Sequence, residues 1–210
     1  MDDNEDDITP AQVVADMRTA WHSESVSPCL LQSRLELVHC LVDQIEEMDK
    51  NLMTVQDRTH IKVSLHRLEL QRLNYMINSY MRLRLKKIEE NPIFLLEKHK
   101  EGIEKNKPPL MSEEELKFAH RFATAQTSVF SSTITQHLPA SLARVPVPSE
   151  DLSVERVFIS VESDDVEDVA VPEGDDPNSE LLLPMQRENI YFLPLLSILP
   201  ALEKNQVRLL

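Results

Sequence analysis

Laid out by apolar and polar positions, the chain changes period once. Up to about residue 137 the apolar side chains recur every three or four residues, and beyond Val154 they alternate or cluster in runs of five to seven. The first rhythm belongs to helices covered on one side, the second to strands. Thr9-Pro10 opens the first helix, because threonine can cap and proline fits the first helical position. Val13, Met17, Ala20 and Trp21 carry its stripe to about Ser23–Pro28. A second helix is expected from about Leu31 to Met53 on Leu35, Val38, Leu41, Val42, Ile45, Met48 and Leu52. The third runs from about Asp57 to Glu90, where Asn91-Pro92 stops it.

A short helical turn over Ile93–Lys100 follows, then a loop in EGIEKNKPPL. Ser112 with Glu115 forms a capping box, and Leu116, Phe118, Ala119, Phe122, Ala123, Val129, Phe130 and Ile134 take another helix to about His137. VFISVES, EDVAVPE, ELLLPM and NIYFLP read as strands, LLSILPALEKN as a short helix and QVRLL as a last strand. The expected fold is mainly α: a helical bundle at 9–138 behind an acidic tail at 1–8, a linker at 139–154, and a small β-rich module at 155–210. A module of that size is weakly stable alone and is expected to lean on something.

The third helix is the informative one. Ile61, Leu65, Leu68, Tyr75, Met76 and Leu83 form one stripe; Val63, Leu70, Leu73, Ile77, Tyr80, Met81 and Ile88 form a second, rotated around the axis. Two stripes mean burial on two sides, either within the chain's own bundle or with a partner covering one of them. The arginines threaded between them fit both cases, because their stems pack on apolar surface while their heads meet acids.

Charge changes the picture in one respect. The chain carries a formal net charge of -14, yet Arg58–Lys107 is basic. A nucleic-acid-binding helix is therefore the rival reading. On a helix, however, Arg67, Arg82, Arg84, Lys86 and Lys87 scatter over several faces instead of tracking one phosphate backbone. From Pro146 to Glu180 twelve acidic residues face the single Arg156, a swing that marks a module boundary.

Little chemistry is encoded. Gly102 and Gly174 are the only glycines, which leaves no glycine-rich nucleotide loop and few positions for tight turns. Cys29 and Cys40 lie eleven positions apart, neither a metal nor a redox spacing, and read as reduced thiols. His60 and His66 are six apart and lie on different faces of a helix. ESDDVEDV lacks the turn glycine of a calcium loop and reads as a solvated connection. The longest apolar run, Ile190–Leu202, is broken by Pro194 and Pro200 and is too short for a membrane span. The expectation is a soluble intracellular protein with no catalytic residue, cofactor, metal or small-molecule substrate.

TPAQVVADMRTAW, HRLELQRLNYMINSYMRLRLKKIEE, LMSEEELKFAHRFATA and the closing QVRLL give the chain, over essentially its whole length, an order of segments that resembles the Sld-five family of the eukaryotic GINS complex. The resemblance implies a helical A domain, a flexible linker and a small β-stranded B domain. It implies a non-enzymatic scaffold subunit in a heterotetramer with three Psf paralogues. That tetramer joins the Cdc-forty-five protein and the MCM hexamer as the replicative helicase, which places the chain in the nucleus and allows a weak contact with DNA.

On this reading Leu65, Leu68, Leu73, Tyr75, Met76, Ile77, Tyr80, Leu83 and Arg84 are the candidate subunit interface. Leu209 and Leu210, an apolar chain end, are expected to lie buried in the B domain or at its docking surface. Some fungal members carry a DDIL-type acidic N-terminal peptide that docks a replisome hub. Here DDITPAQVV departs from it and reads as an acidic tail leading into a helix cap.

Overall fold

The computed structural model describes residues 9–55, 60–139, 142–143, 155–172 and 180–210; the acidic tail and most of the expected linker lie outside them. Six helices are described: α1 (Pro10–Val26), α2 (Leu35–Thr54), α3 (Ile61–Glu90), α4 (Pro92–Glu104), α5 (Glu113–Thr133) and α6 (Leu195–Glu203). The strands are β1 (Arg156–Val161), β2 (Val169–Pro172), β3 (Glu180–Leu183), β4 (Ile190–Pro194) and β5 (Val207–Leu209). The chain is thus mainly helical, with a small strand-containing region at its C-terminal end.

Helix boundaries follow from caps and stops. The Thr9 side chain accepts from the Gln12 N–H, and Ser112 and Glu115 exchange both bonds of the capping box at α5. α4 is longer than expected: Pro92 sits at its first position and the helix runs through Gly102 to Glu104. α2 begins four residues later than expected, at Leu35, because the preceding segment is used elsewhere.

A chain short of glycine must end its helices by other means. Asn106 and Asn205 adopt φ of 53° and 55°, each just after the C-cap and two positions beyond the last helical residue. Lys107 N–H bonds the Gly102 carbonyl and Gln206 N–H the Ala201 carbonyl, the six-to-one closures of Schellman motifs. Asparagine tolerates the left-handed region better than other side chains with a Cβ.

Two compact units emerge. The first contains the described residues up to Ser25 together with Arg34–Arg84; the second contains Val26–Ser33 and everything from Leu85 onward. The core of the first unit is Val13 and Met17 of α1, Val38, Leu41 and Ile45 of α2, and Leu70, Met76, Ile77 and Tyr80 of α3.

The second unit has two cores. Leu30, Ile88, Leu95, Met111 and Ala119 form a helical one. The other belongs to a three-stranded antiparallel sheet in the order β4-β1-β5. Val157, Ile159, Val161, Leu193, Val207 and Leu209 are buried there with Leu195, Ile198 and Ala201 of α6. Cys29 enters this same core, with Val26 and Leu31 packed on it, so the segment between α1 and α2 helps to close the strand module. Lys87 fixes that segment by donating to the Cys29 carbonyl at 2.9 Å. β2 and β3 form a separate antiparallel ribbon.

Candidate protein interface on the long helix

α3 has 30 residues, a rod of about 45 Å. Its two stripes meet different fates. Val63, Leu70, Ile77, Tyr80 and Ile88 are buried, as their seven-residue and near-seven-residue spacing demands of one helix flank. The opposite flank is open: Ile61 is 72% exposed, Leu65 57%, Leu68 61% and Tyr75 67%.

Polar groups fasten the covered flank as firmly as apolar ones. Arg84 and Glu24 are both fully buried, with Nη1 donating to Oε2 at 3.1 Å. The guanidinium also stands 5.6 Å from the centre of the Tyr80 ring. The Tyr80 hydroxyl oxygen accepts from the Arg34 N–H at 3.2 Å, and the Trp21 indole N–H donates to Ser79 Oγ at 3.0 Å. Charges so placed are costly to desolvate, and what offsets the cost is their mutual geometry. They lock α1, α3 and the start of α2 into one register.

Spacing of four, three and seven residues puts Ile61, Leu65, Leu68 and Tyr75 in the a/d pattern of a helix–helix seam, over about 21 Å of α3. Arg72 occupies the gap between Leu68 and Tyr75 and is held by Glu69, Nε to Oε2 at 2.9 Å. Tyr75 leans edge-on against Trp21 with ring centres 6.4 Å apart. The seam is therefore shaped before anything covers it.

The nine residues expected at the interface divide accordingly. Leu65, Leu68 and Tyr75 lie on the open flank, while Leu73 and Leu83 are half-buried. Met76, Ile77, Tyr80 and Arg84 are buried within the chain itself. Their stripe satisfies the bundle's own core, and Met76, counted with the open stripe in the sequence, lies far enough round the helix to join the core. Ile61 belongs to the seam and was missing from the candidates. The signal for it was its four-residue step to Leu65. Leu209 is fully buried in the sheet core, whereas Leu210 is exposed.

The basic residues of α3 do not assemble into a stripe. Arg84 is inside, Lys87 is spent on a carbonyl, Arg72 pairs with Glu69, and Lys86 lies 4.0 Å from Glu90. The acidic connection after β1 is exposed but tethered. Asp164 meets Arg187 at 3.0 Å, Glu167 meets Lys204 at 4.0 Å, and Asp165 offers its carbonyl to Gln206.

His99, buried between α4 and the start of α5, accepts from the Met111 N–H at Nδ1, and burial holds its pKa below the usual histidine value. Among the described residues no three histidine, cysteine, aspartate or glutamate side chains gather closely enough to hold a metal, and no helix is long and apolar enough to cross a membrane.

A helical bundle whose long helix carries an exposed apolar flank, followed by a small strand module, is the class of architecture defined by the fold. Comparison with known proteins makes this specific. Residues 41–134 match the family model described as the GINS complex protein helical bundle domain, Sld5. The human DNA replication complex GINS protein SLD5 is 32% identical over 207 residues, covering 97% of this chain and 91% of that one. The protein of the same name from Xenopus laevis is 32% identical over 213 residues, covering 100% and 95%. The Arabidopsis thaliana protein is 27% identical, covering 92% and 89%. The chain belongs to the Sld5 family of GINS proteins.

Proposed function

We propose that this chain is the Sld5 scaffold subunit of a GINS heterotetramer and acts in DNA replication without catalysing a reaction itself. Its contribution is to bury surface. The open flank of α3 packs against a helix of a Psf paralogue, and the strand module docks on the assembled core. Through GINS the chain holds the Cdc-forty-five protein and the MCM hexamer in the working geometry of the replicative helicase, in the nucleus.

The observation that supports this reading is the a/d seam of Ile61, Leu65, Leu68 and Tyr75, apolar and uncovered on a helix whose other flank is full. An apolar line of that length is a liability in a monomer and an anchor in a complex. Scatter of the arginines and lysines of α3 disfavours direct nucleic-acid binding as the main activity.

The test is co-expression with the three Psf subunits. Leu65→Glu/Leu68→Glu should abolish recovery of the tetramer on size exclusion while leaving the chain's own helical content and melting temperature nearly unchanged. Recovery equal to the parent would overturn the assignment of the seam. A parent chain that behaves as a stable monomer with the partners present, and binds DNA with a steep salt dependence, would overturn the scaffold reading altogether.

A further inference from the structure

We infer that Val26–Ser33 is a clasp: a short strap that pins the strand module to the helices of its own unit and opens reversibly while the first unit stays folded. The clasp needs no partner and stands whether or not the chain acts as a scaffold.

The strap has the anchors of a core and the backbone of a loop. From Ser27 to Arg34 no residue is helix or strand. Yet Cys29 is 2% exposed and its neighbour Leu30 3%, and the two enter different cores. Cys29, with Val26 and Leu31 beside it, joins the buried side chains of β1, β4, β5 and α6. Leu30 joins Ile88, Leu95, Met111 and Ala119 in the helical cluster. Two successive residues thus hold the strand core and the helical core of one unit together.

A polar pin closes the strap. The Cys29 carbonyl accepts from Ser27 Oγ and from Lys87 Nζ, each at 2.9 Å, so both lone pairs of one oxygen are used. Ser27 is itself buried. The bond from the ammonium is charge-assisted and is the stronger of the two. Against this, a segment held by Val26, Cys29, Leu30 and Leu31 without a helix or strand ladder belongs to the low end of local stability. Its release leaves the first unit whole, because the core of that unit contains none of these residues.

The chain's two thiols make the clasp measurable. Cys40 lies exposed on α2, whereas Cys29 is buried in the strap. At either thiol the sulfur displaces iodide from iodoacetamide, so Cys40 reports the unhindered rate and Cys29 the fraction of time the strap is open.

The test follows alkylation of the full chain at each thiol by mass spectrometry, without urea and in urea below the unfolding transition. Cys29 should label about a hundredfold more slowly than Cys40, at a rate that low urea scarcely changes. Lys87→Met keeps the stem and removes the pin, and should raise the Cys29 rate about tenfold; Ser27→Ala removes the other donor and should raise it about fivefold. Lys86→Met, at an exposed residue, should leave it unchanged, and the Cys40 rate should stay constant throughout. Ile77→Ala weakens only the core of the first unit and should not alter the Cys29 rate. Equal rates at the two thiols would mean that the strap is not closed in solution and would overturn the inference. So would a Cys29 rate that climbs with urea as unfolding does and rises in Ile77→Ala, since Val26–Ser33 would then be exposed only by global unfolding. Labelling indifferent to both Lys87→Met and Ser27→Ala would remove the pin.

Discussion

The two flanks of α3 are made from the same kinds of residues on the same helix, and only one of them is covered. Leu70, Ile77 and Tyr80 on one side reach almost no solvent, whereas Leu65, Leu68 and Tyr75 on the other remain more than half exposed. The covered flank also holds the buried Arg84–Glu24 pair, and the open flank holds Arg72, paired with Glu69 on the surface. Hydrophobic spacing states that a flank needs covering; it does not say whether the same chain supplies the cover. An arginine on a helix likewise gives no hint of its fate until the element opposite is known.

The largest effect should come from breaking the covered flank at its ion pair. Glu24→Ala leaves the Arg84 guanidinium buried without its acid and should cost about 3–5 kcal/mol in a urea titration. Replacing both groups by apolar ones of similar volume, Arg84→Met with Glu24→Leu, should recover most of that loss. If the single and double variants are equally destabilised, the pair is not what holds α1 on α3. The same change on the open flank, Glu69→Ala beside Arg72, should lie within about 0.5 kcal/mol.

A matched pair of leucine-type truncations sharpens the contrast. Ile77→Ala removes buried methylenes and should cost about 2–4 kcal/mol of stability, while Leu68→Ala should cost less than about 0.5. In tetramer assembly the ranking of surface effects should favour Leu68: at temperatures where both variants are folded, Leu68→Ala should weaken assembly and Ile77→Ala should not. Equal effects on assembly would mean that the open flank is not the contact surface.

Much of this could be seen in the sequence, and the limits are physical. The helices, both stripes of α3 and the strand run were legible because period 3.6 and period 2 are imposed by burial on one side. The capping box at Ser112 was legible because two side chains three positions apart declare it. That Met76, Ile77, Tyr80 and Arg84 are buried within the chain went unread because a stripe cut from a helix reads the same whether an intramolecular or intermolecular surface meets it. Helix ends at Asn106 and Asn205 went unread because scarcity of glycine suggested a lack of left-handed closures, and asparagine supplied them instead. The exposed pair of Phe158 and Phe192 on the β4-β1-β5 sheet was missed because VFIS and YFLP read simply as apolar strand runs. Their signal was aromatic residues at the positions where a strand covered on one side should be polar. No pattern could reveal that Cys29 packs in the strand core, since that contact joins segments more than a hundred residues apart.

Further along the covered flank, Ile88 packs in the cluster of α4 and α5, where the buried His99 accepts from the Met111 N–H. Burial lowers its pKa, so the folded state prefers the neutral ring. The unfolded chain then binds a proton more readily, and stability rises with pH. Stability from this group should be complete above the ordinary histidine value of about 6.5 and decline as the pH falls below it. Denaturant midpoints at pH 7.5 and 5.5 should differ more for the parent than for His99→Gln, whose amide oxygen can still accept. A pH dependence unchanged by that substitution would rule out His99 as its source. The open flank has no such group, and assembly through Leu65 and Leu68 should be insensitive to the same change once loss of folded chain is allowed for.

A smaller effect than loss of the buried ion pair concerns Tyr75, a side chain that belongs to both flanks. Tyr75 is on the open seam, but Trp21 of α1 braces it edge-on and is itself pinned to Ser79 through the indole N–H. Trp21→Phe deletes that hydrogen bond and thins the brace, which should cost about 1 kcal/mol in thermal or urea unfolding of the chain alone. Its effect on assembly should be larger than on stability, because a Tyr75 ring free to rotate must be ordered when a partner covers it. Ser79→Ala removes the bond while leaving the indole in place, and it should reproduce the stability loss with little of the assembly loss. If the two variants affect assembly equally, Tyr75 is positioned by α3 alone and the seam is shaped without help from α1.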